Sequence, residues 1–424
     1  MAGLLDSIKR NWTGGDIYDK RAKQLHKRFI GELNKMAEYE GYVSRLSSMD
    51  MKYNFSLQKQ RLEKHRLTMK REYTLPEDAF FGVSMMMGGD KRYITRIPTV
   101  QCQCERTLAS DHKTLQKNKT KETIYSYTVF VENQNKDASY CCPNCGDVNS
   151  VRQLLEQGCR SCRTKFMMFD LYPRITNFYT IRDKSYVRTK PLPFVLLGML
   201  AALLVFFFVT SKGMAIGFEY FFAMVMSPVA GGMLGYLLYV CVVGLLLLMD
   251  SVKSSHLYSF YKKTRKNLPP FMQKFDPYFS IDFFVGKVNN LLKTLVFIEH
   301  YDNCSVYEQG GDNPYPDIVD VEYQGIIGLN DMSSDERYVY VDVDVYAKTT
   351  YLRNNKLKQK DEVFRMALCR GIGVRDDCDA SIHNIQCQSC GASFDAVRER
   401  NCPYCRNPYH LQNYDWVVTD FERR

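Results

Sequence analysis

Residues 276–296 read DPYFSIDFFVGKVNNLLKTLV, the clearest amphipathic-helix pattern in the chain. Asp276-Pro277 marks a turn. Ser280 stands where an N-cap hydroxyl accepts from orphan backbone N–H groups, and Asp282 puts negative charge in the first turn. Ile281, Phe284, Val285, Val288, Leu291, Leu292, Leu295 and Val296 then recur at nearly 3.6-residue spacing, which predicts one continuous buried face. Three strand-like runs follow, Ile318 to Tyr323, Tyr338 to Ala347 and Val363 to Cys369. In the second, Val339, Val341, Val343 and Val345 alternate with Tyr340, Asp342, Asp344 and Tyr346, the pattern of an antiparallel sheet packed on one side. A long helix laid on such a sheet predicts an α+β domain over residues 276–374.

Two cysteine quartets flank this domain at different distances. Cys387-x2-Cys390 and Cys402-x2-Cys405 are separated by 11 residues, and Cys142-x2-Cys145 and Cys159-x2-Cys162 by 13. A two-residue spacing lets both thiolates of a tight turn reach one ion, and two such turns complete a tetrahedral Zn–S4 shell. The eight cysteines are therefore the candidate ligands of two structural zinc ions, one in residues 93–175 and one in a ribbon over 383–410. Iron–sulfur ligation and unligated thiols are the alternatives. Cys102, Cys104 and Cys141 are read as bystanders. The first quartet follows a region of β character whose clearest strand is Thr123 to Val131 (TIYSYTVFV). Residues 411–421, containing YDWVVTDF, are expected to return as a closing strand of the α+β domain. The second ribbon is then an insertion between neighbouring strands. Trp416 and Val418 would share the face that covers the helix near Leu291 or Leu295.

Between the two quartets, Pro191 to Ser211 runs 21 residues and Tyr220 to Met249 runs 30 residues without a charge. At a 1.5 Å rise, roughly 20 residues cross a hydrocarbon core of about 30 Å. Residues 191–250 are thus expected to form a two-span hairpin, with spans near Pro193 to Thr210 and Val229 to Met249. Ser227-Pro228 is read as a break and Phe218 to Met226 as an interfacial segment. Arg182, Lys184, Arg188 and Lys190 precede the hairpin, and Lys253, Lys262, Lys263, Arg265 and Lys266 follow it, whereas the turn has only Lys212. That asymmetry predicts both termini on the cytoplasmic side of the cell (inner) membrane. Gly198-x-x-x-Ala202 and Gly231-x-x-x-Gly235 place small residues at helix-packing spacing. Pro269-Pro270 suggests that residues 251–275 form a basic linker.

The remaining sequence sets limits. At 424 residues the chain exceeds one ordinary domain, and 45% hydrophobic with 25% charged residues excludes wholesale disorder. The mean hydropathy of −0.32 excludes a polytopic membrane protein. The net charge of +10 suits anionic lipid or nucleic acid without choosing between them. Residues 1–92 read as a basic, mainly helical region, with Leu25, Phe29, Leu33 and Met36 at helical intervals and Gly82 to Gly89 as a loop. The start lacks the long apolar core of a cleaved secretion signal. Asn11, Asn54, Asn118 and Asn303 match the glycosylation sequon, a chemistry that a cytoplasmic placement withholds. Asp342 and Asp344 share one strand face, but a solvated face explains them better than paired acid–base work. No nucleotide-binding or kinase motif is present.

The Asp-Pro opening, its helix, the strands after it and the ending CQSCGASFDAVRERNCPYCRNPYHLQNYDWVVTDF (Cys387 to Phe421) resemble the Tim-forty-four-like family. The resemblance covers about residues 267–421. It implies a cystatin-like cone, in which a curved antiparallel sheet holds a long helix. It further implies protein handling at a membrane by binding, not by catalysis. The expected function is a membrane-anchored tether that binds a protein partner or polypeptide substrate, with no catalytic residues. A membrane-anchored nucleic-acid- or ribosome-binding zinc protein and a small-molecule enzyme using the cone pocket are the alternatives.

Overall fold

The computed structural model describes residues 17–38, 44, 46–85, 93–110, 113–131, 136–137, 139–166, 171, 174–182, 191–210, 217–277, 279–302, 304–354, 356–374, 385–387, 389–395, 397 and 399–424. Its elements run α1 (Ile17–Glu38), α2 (Met49–Lys64), β1 (Leu67–Thr74), β2 (Phe81–Met85), β3 (Tyr93–Ser110), β4 (Lys113–Val131), β5 (Ser139–Cys141), β6 (Val148–Ser150), α3 (Val151–Glu156) and β7 (Arg174–Arg182). Then come α4 (Leu192–Thr210), α5 (Phe218–Met272), α6 (Ile281–Phe297), β8 (Ile318–Ser334), β9 (Tyr338–Arg353), β10 (Lys356–Gly371), β11 (Ile385–Gln386), β12 (Ser393–Phe394) and β13 (Val417–Arg423). They form two compact units, one of Met1–Asp183 with Phe260–Arg424 and one of Lys184–Ser259.

Within the larger unit one order of elements occurs twice. Helix α2 leads into the antiparallel path β1-β3-β4-β7, with β2 paired to β3, and helix α6 leads into β8-β9-β10-β13. In each path a cysteine quartet is inserted between the third and fourth strands, which pair with each other. Both helices open on Ser-x-Asp, and Ser48 and Ser280 cap them by accepting from the N–H of Met51 and Phe283. The helices also pack together. Asn54 Nδ2 donates to the Asn290 carbonyl at 3.2 Å, and Thr294 Oγ1 donates to Asn54 Oδ1 at 2.9 Å. Arg61 of α2 closes the far end of α6. Its Nη2 donates to the carbonyls of Val296, Phe297 and Ile298 at 3.1–3.3 Å, which the helix itself leaves without partners.

Helix α6 forms as its spacing predicts, with every residue of the apolar set named above buried in the main core beside Val339, Val341, Val343 and Val345. The strands are longer than their apolar runs, because hairpin pairing carries β9 and β10 out to Arg353 and Lys356. The two sheets meet at a buried ionic cluster. Arg71, Arg106 and Arg182 from the first face Glu122 from the same sheet and Asp320 and Glu322 from β8, with Arg71 Nη2 2.5 Å from Asp320 Oδ1. Burial alone would raise the Asp320 carboxyl, but Arg71 and Arg106 hold it down at about 2.

Several expectations need correction. Residues 1–92 are not mainly helical to their end. Leu67–Thr74 and Phe81–Met85 are strands, the second running into the stretch Gly82 to Gly89 read as a loop, because both find hydrogen-bonding partners on β3. Residues 251–272 of the supposed linker are helix. Pro269-Pro270 does not stop α5 at once, since Leu268 and Met272 are buried in the core and Thr264 Oγ1 bonds the Ile327 carbonyl at 2.8 Å. Ser227-Pro228 does not break α5 either, so Phe218 to Met226 belongs to that helix. In an apolar medium, freed backbone groups have no water to turn to, which favours continuity. Asn54, a sequon residue, is buried between the helices. The hairpin turn with Lys212, and Lys184, Arg188, Lys190, Asn11 and Asn303, lie outside the described residues.

The smaller unit contains two helical stretches long and apolar enough to cross a membrane, Leu192–Thr210 and Phe221–Leu245, none and 11% of which is buried. Leu197, Leu204, Phe208, Phe221, Met233 and Leu234 are all more than half exposed. Gly198, Gly231 and Gly235 bring the two helices to backbone contact, for a Cβ at Gly198 would collide with the Gly231 carbonyl.

His26 of α1 is fully buried, with Nδ1 2.7 Å from Ser126 Oγ, and burial pushes its pKa down from 6.5 to about 4. The unfolded chain therefore binds a proton in a window where the folded one does not. The stabilising contribution is complete above about pH 6.5, and is lost as pH falls through about 4. It amounts to on the order of 3 kcal/mol. Urea titrations between pH 7 and pH 4 should show this slope, and His26→Phe should flatten it. An unchanged slope would place the titration elsewhere.

Candidate metal centres

Each quartet is built from two identical turns. Cys142 N and Cys159 N donate to the carbonyls of Asp147 and Thr164, and Cys387 N and Cys402 N to those of Ala392 and Asn407, all at 2.8–2.9 Å. The residue after each second cysteine of a pair, Gly146, Arg163, Gly391 and Arg406, donates back to the first cysteine's carbonyl at 2.7–2.9 Å. Closing that turn requires a left-handed backbone, with φ of 79°, 58°, 73° and 62° respectively. Glycine adopts it freely at two positions, while Arg163 and Arg406 accept the strain.

These turns bring the sulfurs together as the sequence spacing predicts. Cys142 and Cys162 Sγ lie 3.6 Å apart and Cys145 and Cys159 3.4 Å. In the second quartet Cys387–Cys405 and Cys390–Cys402 are both 3.6 Å. All four sulfurs of each quartet lie within 4.8 Å of one another. A Zn–S distance of about 2.3 Å implies tetrahedral S–S edges of about 3.8 Å. Both quartets therefore fit a divalent ion of zinc size and ligand preference. One thiol in each quartet is favoured as thiolate. The hydroxyl and N–H of Thr164 push the Cys162 thiol down to about 6, and the N–H of Cys390 helps to do the same for Cys387, while burial pushes Cys142 and Cys145 up. A four-thiolate shell leaves no position for water or substrate, so its chemistry is cross-linking.

Sequence spacing alone did not reveal the supporting groups. Asn149 Nδ2 donates to Cys159 Sγ at 3.4 Å, and Thr164 Oγ1 lies 3.2 Å from Cys162 Sγ. Arg400 holds the second ribbon to the preceding loop by donating to the carbonyls of Tyr301 and Tyr307 at 3.2 and 3.0 Å. The first quartet packs in a small cluster with Val129, Tyr140, Val151, Leu154 and Leu171. The second shares the main core with α6, Phe394, Leu411 and Trp416.

Cys102 and Cys104 belong to neither quartet. Both are buried on β3, where burial pushes their thiols up to about 12 and 11. The side chain of Cys141 lies outside the described set. Asp342 and Asp344 do share the outer face of β9, and both are engaged. Arg365 grips Asp342 with Nε and Nη2 at 2.9 and 2.5 Å, and Arg424 Nη1 lies 3.2 Å from Asp344. That pairing spends their charge on the sheet surface. Comparison with protein-family models, with curated proteins and with solved structures finds no match for this chain.

Proposed function

We propose that this is a membrane-anchored binding protein whose larger unit, stapled by two zinc ions, holds a protein partner or a polypeptide in transit. The observation that carries the reading is the combination of two nearly bare apolar helices with a large unit in which each four-cysteine site joins paired strands of a sheet. Staples in those places support a rigid platform, and the apolar helices supply an anchor. Four reduced thiolates per site and the Lys/Arg-rich flanks favour both termini on the cytoplasmic face of the cell membrane. The helix α6 on its four-stranded sheet is read as a cystatin-like cone of the Tim-forty-four-like kind, which supports polypeptide handling. A second reading, nucleic-acid or ribosome binding, draws on Lys117, Lys119 and Lys121. These alternate along β4, so they share one exposed face. Photo-crosslinking in cells, followed by detergent extraction, separates the two. Discrete protein adducts on the larger unit are expected. Dominant RNA adducts that weaken steeply with salt would replace the first reading by the second.

A further inference from the structure

The repeat of helix and sheet is broken at one position, and the break exposes a charge. Counted from the capping serines, Arg61 of α2 and Lys293 of α6 occupy the same place, 13 residues on. Arg61 is saturated, with acceptors among the carbonyls at the end of α6 and those of Tyr315 and Pro316 at 2.8 and 2.9 Å. Lys293 has no such acceptor among the described residues. Its ammonium lies 5.3 Å from the centre of the Phe178 ring. It lines a cavity of about 30 Å³ together with Asn54 and Gln58 of α2, Arg71 of β1, and Asn177 and Phe178 of β7.

We infer that this cavity binds a carboxylate-sized oxyanion, with Lys293 and Arg71 as its charged donors. Three observations converge on an anion. Two cations face one cavity, and the nearest carboxylate, Asp320, is already shared by Arg71 and Arg106. Arg71 Nε is buried without an acceptor among the described residues, a costly arrangement for a charged donor. Burial, and then the Arg71 guanidinium, push the Lys293 ammonium down to about 8 against the pull of Asp320, so the cavity disfavours the charge of Lys293. An oxyanion would relieve all three. The size follows from the volume. A water needs roughly 10–15 Å³ of such space, so this cavity suits a planar group of about three heavy atoms and not a tetrahedral phosphate.

The test uses the full chain in detergent, with sodium acetate and sodium phosphate compared against sodium chloride at equal ionic strength. Acetate should raise the melting temperature saturably, by roughly 2 °C at tenfold excess over its dissociation constant. Phosphate should not. Lys293→Met should fold and lose the acetate response, whereas Lys293→Arg should keep part of it. Reductive methylation of the wild-type protein needs no variant: acetate should slow modification of Lys293 several-fold and leave exposed lysines unchanged. Equal effects of acetate and chloride on both readouts would overturn the site. So would an undiminished acetate response in Lys293→Met, and a phosphate response matching that of acetate would overturn its size.

Discussion

Replacing Trp416 by alanine is expected to destabilise the whole C-terminal sheet and helix by about 3–5 kcal/mol, the range for truncating a fully buried large aromatic side chain. Trp416 is 1% exposed and lies edge-on to Phe284 of α6, ring centres 5.1 Å apart. The expected neighbours Leu291 and Leu295 lie further along that helix, so the Trp covers its first turns instead. The other contact of the ring is charged. The Arg370 guanidinium carbon sits 4.7 Å from its centre, and Arg370 in turn meets buried Asp276 at 3.4 Å. Alanine would leave both a cavity and a buried cation stripped of its aromatic cover. No hydrogen bond among the described residues is lost, since the indole N–H has no acceptor there. Trp416→Phe should therefore recover most of the stability, which separates packing from polarity. Hydrogen exchange is the measurement: protection should fall in α6 and β10 as well as around Cys402 and Cys405. If Trp416→Ala loosened only residues 385–410, the tryptophan would belong to the ribbon alone.

The closing strand itself was legible. YDWVVTDF contains an apolar run too short for a helix, and β13 does pair antiparallel with β10, from Phe364↔Arg423 to Cys369↔Val417. Its face assignment holds for the pair: Val418 stands opposite Leu368, and Trp416 lies against Arg370, two residues further along β10. Alternation did not show that Val417, on the other face, is buried as well, or that Val306 and Glu308 bond Val418 along its second edge. Helix α6 and the quartets were legible because each follows a local rule, 3.6-residue periodicity or two-residue ligand spacing. The N-terminal sheet was legible only in part. Thr123 to Val131 reads as a strand and lies in β4. The full length of β3 and β4 does not show, because Arg106 and Glu122 stand on the buried face among Cys102, Cys104, Leu108 and Ile124 and interrupt the apolar alternation. The repeat left only faint traces, Ser48-Met-Asp50 against Ser280-Ile-Asp282 and the two quartets. Propensity could not expose it, because it resides in strand order. The cavity at Lys293 was equally hidden. It requires α2, β1, β7 and α6, whose contributing residues span more than two hundred positions.

Breaking the two metal centres is expected to have unequal consequences, although the quartets are nearly superposable in design. Intact, reduced protein should hold close to two zinc ions, and Cys159→Ser or Cys402→Ser should each lower that to about one. Binding free energy in structural zinc sites is on the order of 10–16 kcal/mol and is realised as folding free energy, so loss of an ion unfolds whatever depends on it. In the first centre that dependence is local. The quartet packs on its own small cluster, and only Val129 of that cluster belongs to the long strands. Residues 139–166 should lose protection while β3 and β4, paired along most of their length, keep theirs. In the second centre Cys387 and Cys402 are buried in the main core itself. Ser305 N bonds the Val397 carbonyl at 3.0 Å, and Arg400 ties the ribbon to Tyr301 and Tyr307, so the loop after α6 leans on it. Cys402→Ser should therefore expose β13, the 301–309 loop and the start of α6 together. A chelator strong enough to remove both ions should reproduce the two single losses superimposed. Equal, purely local losses in both variants would show that the second ribbon is a passenger on the sheet and not one of its supports.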